Sequence, residues 1–250
     1  MVGKNQVIVT THNPLFVDRL EIKSNIIIEN GKATPAKTVR QIRDLLGIKA
    51  SDNLINANYV IVVEGEEDKI ALSALISYLS SKISKAIRSH LLVIEPITGA
   101  GNLAYKLSLM KNELCVYHVL LDNDSAGRMS FQKAKEDGLV SVKNCTFTNC
   151  PGMTDSEFED CIDPDIYRDD ILSKYGVDLT SAQFRGNRKW AERMKSVFMD
   201  QGKPWNDSIK KEVKFFVADI ISKNPKSALH QHKRNSIDAL VTAVEGIIQS

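Results

Sequence analysis

The chain has 250 residues, room for one large or two small domains, and its 43% hydrophobic and 26% charged composition is that of an ordinary globular protein. Its formal net charge of +2 singles out neither nucleic acid nor membrane as a partner. No apolar run approaches the roughly 20 residues of a membrane span, the start MVGKNQVIVTTHNP lacks a signal peptide's apolar core, and Cys115, Cys145, Cys150 and Cys161 form no CxxC pair, so zinc is set aside and the protein is read as cytoplasmic.

The predicted elements begin with a β-branched run at residues 7–11. Asn13-Pro14 breaks it, and Pro14 suits the first turn of a short helix through Leu20. Residues 22–29 alternate as a strand up to Asn30-Gly31, a hairpin signal. Val39, Ile42, Leu45 and Leu46 share one face of a helix over 38–46 that Gly47 stops. Residues 1–57 therefore read as an edge piece without a core of its own.

From Tyr59 the pattern becomes β-α-β-α. YVIVV is a continuous apolar strand, as expected when both faces are covered. A helix over 68–79 and a strand over 91–97 follow. Gly99 and Gly101 then lead into a helix ending near Lys111. A strand over 115–121, a helix from about Met129 to Glu136 and a strand over 145–148 complete the unit. This alternation predicts a parallel sheet covered by helices. Beyond Asp155 only helices are predicted, over 156–161, 165–175, 187–199, 207–222 and 235–248. The chain divides on this reading into 1–57, 58–150 and 151–250.

Ligands of parallel sheets bind beyond the carboxyl ends of the strands. Acidic residues stand there. Glu64 directly follows YVIVV, with Gly65 permitting a sharp turn and Asp68 about one helical turn later. Asp122 and Asp124 follow VYHVLL, two residues apart, so that extended backbone points both the same way, and Gly127 relieves the turn behind them. Glu157, Glu159 and Asp160 follow the fourth strand. One acid after a strand is commonly a helix cap, and Asp68 would suit the amino end of its helix on that ground alone. Acidic pairs at two strand ends of one sheet argue instead for a shared site. Gathered carboxylates repel and hold protons unless a cation intervenes. Magnesium and manganese prefer such oxygen donors, and a pair of them serves phosphodiester hydrolysis. A basic stretch over 185–214 follows an acidic one over 155–170; both read as solvated helix faces, or as what a phosphodiester site requires.

VIVVEGEEDKIAL resembles the first Toprim motif, a hydrophobic strand ending in Glu-Gly, and HVLLDNDSAGR resembles the second, Asp-x-Asp-x-x-Gly. The resemblance implies a Toprim, Rossmann-like α/β domain that holds divalent metal beside a phosphodiester, with Glu64, Asp68, Asp122 and Asp124 as ligands. The preceding QVIVTTHNPLFVDRL is similar to the last strand and switch histidine of an ABC-type ATPase, as found before the Toprim domain of OLD-family nucleases. By that likeness His12 would sense a nucleotide γ-phosphate. The chain has no GxxxxGK[ST] loop, so ATP would enter only through an upstream ATPase domain of a longer, homo-oligomeric protein.

The OLD resemblance further implies a metal-binding glutamate in SEFED, either Glu157 or Glu159. It also implies a lysine in KKEVKFFVAD that steadies the scissile phosphate, with Lys214 favoured over Lys210 and Lys211. Gly99 and Gly101 resemble a phosphate-approaching glycine turn. The implied activity is two-metal hydrolysis of DNA, by nicking or double-strand cleavage. A Toprim ribonuclease, a primase-like enzyme and a non-cleaving module that binds nucleic acid or a partner stand as alternatives.

Overall fold

The computed structural model describes residues 8–50, 54–97 and 102–248. Its first segment is more irregular than expected. Residues 8–11 form no strand; they are exposed and pair with no strand among the described residues, which a β-branched composition alone does not overcome. The helix expected through Leu20 is a single 3-10 turn, Pro14–Phe16, capped by Asn13 Oδ1, which accepts from Leu15 N. The strand expected over 22–29 starts late, after a 3-10 turn at Ile22–Ser24. Strand β1 (Ile26–Glu29) then pairs with β2 (Lys32–Pro35) across Asn30 and Gly31, both at positive φ as a two-residue hairpin of this hand requires. Helix α1 (Val39–Leu46) is capped by Thr38, whose Oγ1 accepts from Gln41 N, and ends at Gly47 in the left-handed region.

Arg43 anchors this segment. The buried guanidinium donates to the carbonyls of Glu113, Leu54, Ile55 and Ala57 at 2.7–3.1 Å. Beside it Val39 and Ile42 pack against Leu114.

The main body runs β3 (Tyr59–Val63), α2 (Glu66–Leu79), α3 (Ser81–Arg88), β4 (Leu92–Pro96), α4 (Leu103–Asn112), β5 (Val116–Leu121), α5 (Ser125–Glu136) and β6 (Cys145–Phe147). It is a mixed α/β arrangement around a four-stranded parallel sheet of order β4-β3-β5-β6, consistent with a Toprim-like fold. Helix α3 lies where the sequence reading places no element. Ser80 makes the break, ending α2 through its N–H and starting α3 by accepting from Ile83 N on its hydroxyl.

The carboxyl-terminal part carries α6 (Arg168–Tyr175), α7 (Trp190–Asp200), α8 (Asp207–Lys223) and α9 (Asn235–Ile247). The helix expected over 156–161 is a 3-10 turn, Phe158–Cys161. An antiparallel bridge between Asn123 and Ser156 holds the preceding chain extended against the end of β5.

Every residue of β3 is buried, and its side chains alternate between two cores. Tyr59, Ile61 and Val63 face a cluster built from α2, α3 and the later helices, including Trp190, Met194, Val217 and Leu240. Val60 and Val62 face Leu103, Leu107 and Met110 of α4 and Ala134 of α5. No helix among the described residues is long and apolar enough to cross a membrane.

The order of the strands positions the site. From β3 the chain steps outward to β4, then crosses back past β3 to β5. The carboxyl ends of β3 and β5 therefore flank the point where the winding reverses, which is where ligands of such sheets bind.

Candidate active site

Glu64 follows β3 and Asp122 follows β5, so neighbouring strands deliver both acids to that point. They touch through the backbone: Asp122 N donates to Glu64 Oε1 at 2.9 Å. Gly127 is needed by close approach, since a Cβ there would collide with the Asp122 carbonyl. Asp122 Oδ1 accepts from Phe158 N at 2.8 Å, which draws the acidic 3-10 turn against the sheet.

Asp124 and Asp68 both serve as caps. Asp124 Oδ1 accepts from Gly127 N in the first turn of α5, and Asp68 Oδ2 accepts from Gly65 N at the start of α2, each at 2.9 Å. Capping does not exhaust either group. Asp124 Oδ2 also receives Lys189 Nζ at 2.7 Å, and Asp68 is buried within reach of the charges on Lys214 and Glu159.

Two lysines counter the acids. Lys214 comes from α8, which packs along α2, and its buried Nζ lies 3.0 Å from Glu159 Oε1. Lys189 sits just before α7 and bridges Asp124 and Glu157, the latter at 3.2 Å from Nζ to Oε1. Glu157 Oε2 further accepts from Ala191 N. Asp160 braces the turn, pairing with Arg193 and accepting from Glu157 N and Trp190 N.

Two ammonium groups face the six carboxylates of Glu64, Asp68, Asp122, Asp124, Glu157 and Glu159, and the titration of the acids reflects the imbalance. Burial pushes Asp68 up to about 8, with Glu159 and Glu67 adding to the rise against the pull of Lys214. Burial also raises Asp122, reinforced by Glu64, Asp68 and Glu159, and it raises Glu64 and Glu159. Asp124 and Glu157 go the other way. Burial opposes their ionisation, but the Gly127 amide and Lys189 hold Asp124 low, and Lys214 and Lys189 hold Glu157 low. Lys214 is itself held protonated by Glu159, Asp122 and Asp68 despite its burial. The site is thus a protonatable, oxygen-rich half beside an ionised half that is already paired.

Could these residues hold a divalent cation? Among the described residues no three His, Cys, Asp or Glu side chains stand as a ready ligand set. The donor chemistry nevertheless fits a hard cation: all donors are oxygen, and Glu159 Oε2 is buried with no hydrogen-bond partner. Filling an orphaned acceptor and relieving several raised carboxyls are both what such an ion does.

The remaining sequence candidates are more scattered. Lys210 is half-buried and its charge is felt at Glu157, whereas Lys211 is exposed near the Phe215 ring. His12 is exposed in the irregular segment before Pro14. Gly99 and Gly101 lie outside the described residues. Within the basic stretch over 185–214 the sequence does not distinguish Lys189 and Arg193 from their neighbours, because their acidic partners are distant in the chain, Lys189 meeting Asp124 across 65 positions.

The C-terminal region of the Burkholderia pseudomallei OLD protein has a similar structure, with a TM-score of 0.46 and 16% identity over 77% of this chain and 99% of that one. No family model matches the chain, and no curated protein matches it.

Proposed function

We propose that the chain is the nuclease part of a longer ATPase–nuclease, cutting DNA phosphodiesters with two divalent ions, magnesium or manganese, at the crevice between β3 and β5. One observation carries this reading: carboxylates from three separate stretches of chain, residues 64–68, 122–124 and 157–159, gather around Lys214 and Lys189 at the reversal point of a parallel sheet. A structural core gains nothing from such an arrangement, because burying more acids than bases costs stability.

Glu64, Asp68, Asp122 and Glu159 would hold one ion, and Asp124 with Glu157 the other. When bound, the ions supply Lewis-acid activation of water and stabilisation of the leaving oxyanion. The protein's own groups do the rest. Raised carboxyls at Asp68 and Asp122 hold protons to release as a cation arrives. Lys214, fixed by Glu159 and excluded from water, offers a permanent positive charge to a phosphate oxygen. Lys210, at the half-buried approach from α8, adds sequence-independent attraction for the backbone of the nucleic acid.

A plasmid-nicking assay tests the reading. Magnesium or manganese supports nicking or linearisation, EDTA abolishes it, and Asp122→Asn lowers the rate by about 10²–10³-fold while far-UV circular dichroism is unchanged. Cleavage confined to RNA would assign a ribonuclease instead. Binding of DNA without cleavage in either metal, or full activity in Asp122→Asn, refutes the assignment.

A further inference from the structure

Two of the four cysteines meet. The sulfurs of Cys150 and Cys161 lie 3.8 Å apart, within hydrogen-bond reach of each other. Cys115 is held instead beside the Arg43 guanidinium, and Cys145 stands on β6. The meeting pair is 11 positions apart in the chain and brackets the stretch that carries Glu157, Glu159 and Asp160. Cys161 is the last residue of the 3-10 turn Phe158–Cys161, and its carbonyl accepts from His230 N at 2.9 Å.

A buried thiol can serve merely as a small apolar group, but this pair is arranged for more than packing. Access is graded. Cys161 is 0% exposed, whereas Cys150 is 5% exposed, lines a surface cleft and is followed directly by the exposed turn Pro151-Gly152. One thiol is thus met first, and the other waits behind it. The Cys161 hydrogen bond and the Lys233 charge also hold the Cys150 thiol below its ordinary range, against its burial, and that favours the nucleophilic thiolate. The remaining gap is short. A disulfide holds its sulfurs about 2.05 Å apart, so they need to close by roughly 1.8 Å.

We propose that Cys150 and Cys161 are a modification site, joined by a peroxide into a reversible disulfide that displaces the acidic turn. Cys150 attacks one oxygen of hydrogen peroxide, the O–O bond breaks, and a sulfenic acid and one water result. Cys161 then attacks the sulfenic sulfur; the S–S bond forms, the S–O bond breaks, and a second water leaves. Two thiols are oxidised, one peroxide is reduced to two waters, and a dithiol reductant reverses the change. Closing the bond pulls on the end of a four-residue turn. From that same turn Phe158 N donates to Asp122 Oδ1 at 2.8 Å, and Glu159 Oε1 lies 3.0 Å from Lys214 Nζ. Both contacts shift with it. The effect on cleavage rests on the nuclease reading above; the disulfide itself does not.

The test treats the full chain with hydrogen peroxide, removes the excess with catalase, unfolds and alkylates the free thiols, and maps the unreduced digest by mass spectrometry. A Cys150–Cys161 link is expected, with Cys115 and Cys145 alkylated, and dithiothreitol should abolish it. Cys145→Ala should keep the link, and Cys150→Ala should lose it while retaining the parent's circular dichroism. In plasmid nicking, oxidation should slow the parent by about 10²-fold, as an ångström-scale misplacement does. Dithiothreitol should restore the rate, and Cys150→Ala should nick as the reduced parent does, with or without peroxide. The proposal is overturned if all four thiols remain open to alkylation, if the link involves Cys115 or Cys145, or if the linked chain nicks as fast as the reduced one. A reduced parent that never nicks counts against the nuclease reading, and the mass spectrum then decides the disulfide by itself.

Discussion

Lys189 reaches both Asp124 and Glu157 from the position that begins α7, and it shares Glu157 with the charge of Lys214. A divalent ion bound by those two carboxylates would compete with its ammonium group. Lys189→Met keeps the aliphatic stem and deletes the charge. The metal-free variant should lose about 2 kcal/mol, because half-buried Asp124 loses its charge partner and buried Glu157 loses one of two. Manganese should then raise its melting temperature more than it raises the parent's. Equal manganese shifts in the two proteins would show that the lysine and the ion do not share a place. His118 allows a pH prediction of opposite sign to the acidic cluster. Burial depresses it to about 4 from an ordinary 6.5, and its ring bonds Thr146 Oγ1. Below pH 6.5 the unfolded chain takes up the proton that the folded chain refuses, so the contribution present at neutral pH is lost as pH falls toward 4. Between pH 7 and pH 5 the loss is about 2 kcal/mol. The raised carboxyls of Glu64, Asp68 and Asp122 work the other way, since the folded state keeps their protons and gains from acidification. His118 is therefore read as the difference between parent and His118→Gln in urea midpoints at the two pH values. Parallel pH dependences would mean that His118 titrates normally in the fold.

Arg43 shows how an element with almost no core of its own is held in place. Helix α1 buries little beyond Val39 and Ile42, and β1 and β2 lie on the surface. What fastens them is one guanidinium shared among the carbonyls before β3 and the carbonyl of Glu113. Arg43→Met orphans those acceptors and should cost about 3 kcal/mol. The loss should be local, so that proteases cut between α1 and β3 while the sheet's circular dichroism persists. Unchanged protease resistance would show that the apolar contacts alone suffice. The same segment marks the limit of what is legible in the residues. A continuous apolar run announces β3 because burial on both faces leaves no other composition, and the acids after β3 and β5 are visible in the sequence at the strand ends where they stand. Residues 8–11 have the composition of a strand and lack a neighbouring strand among the described residues, which no local pattern can supply. The break at Ser80 and the bridge of Lys189 to Asp124 are likewise products of packing. One depends on how α3 meets the sheet, the other on where α7 begins.

At the level of the whole chain, the crevice and the core are completed by the same helices. The face of the sheet bearing Ile61 and Val63 is covered by α2 and α3, and these are covered in turn by residues beyond 150, with α8 lying along α2 and α9 against α3. The sequence suggests a unit ending near residue 150, yet that cut would uncover Leu72, Leu75, Ile76 and Ile83, each essentially inaccessible in the full chain. Each such side chain contributes roughly 1.5–3 kcal/mol on burial, so four together match the roughly 5–15 kcal/mol that stabilises a whole domain. A fragment of residues 1–150 should therefore melt without a cooperative transition and bind a hydrophobic dye. It should also fail to cut DNA, since Glu157, Glu159, Lys189 and Lys214 leave with the helices. A fragment that unfolds cooperatively would mean the sheet is stable with one face bare. If that fragment also cleaved, the later acids and both lysines would be dispensable, and Glu64, Asp68, Asp122 and Asp124 would have to carry the chemistry alone.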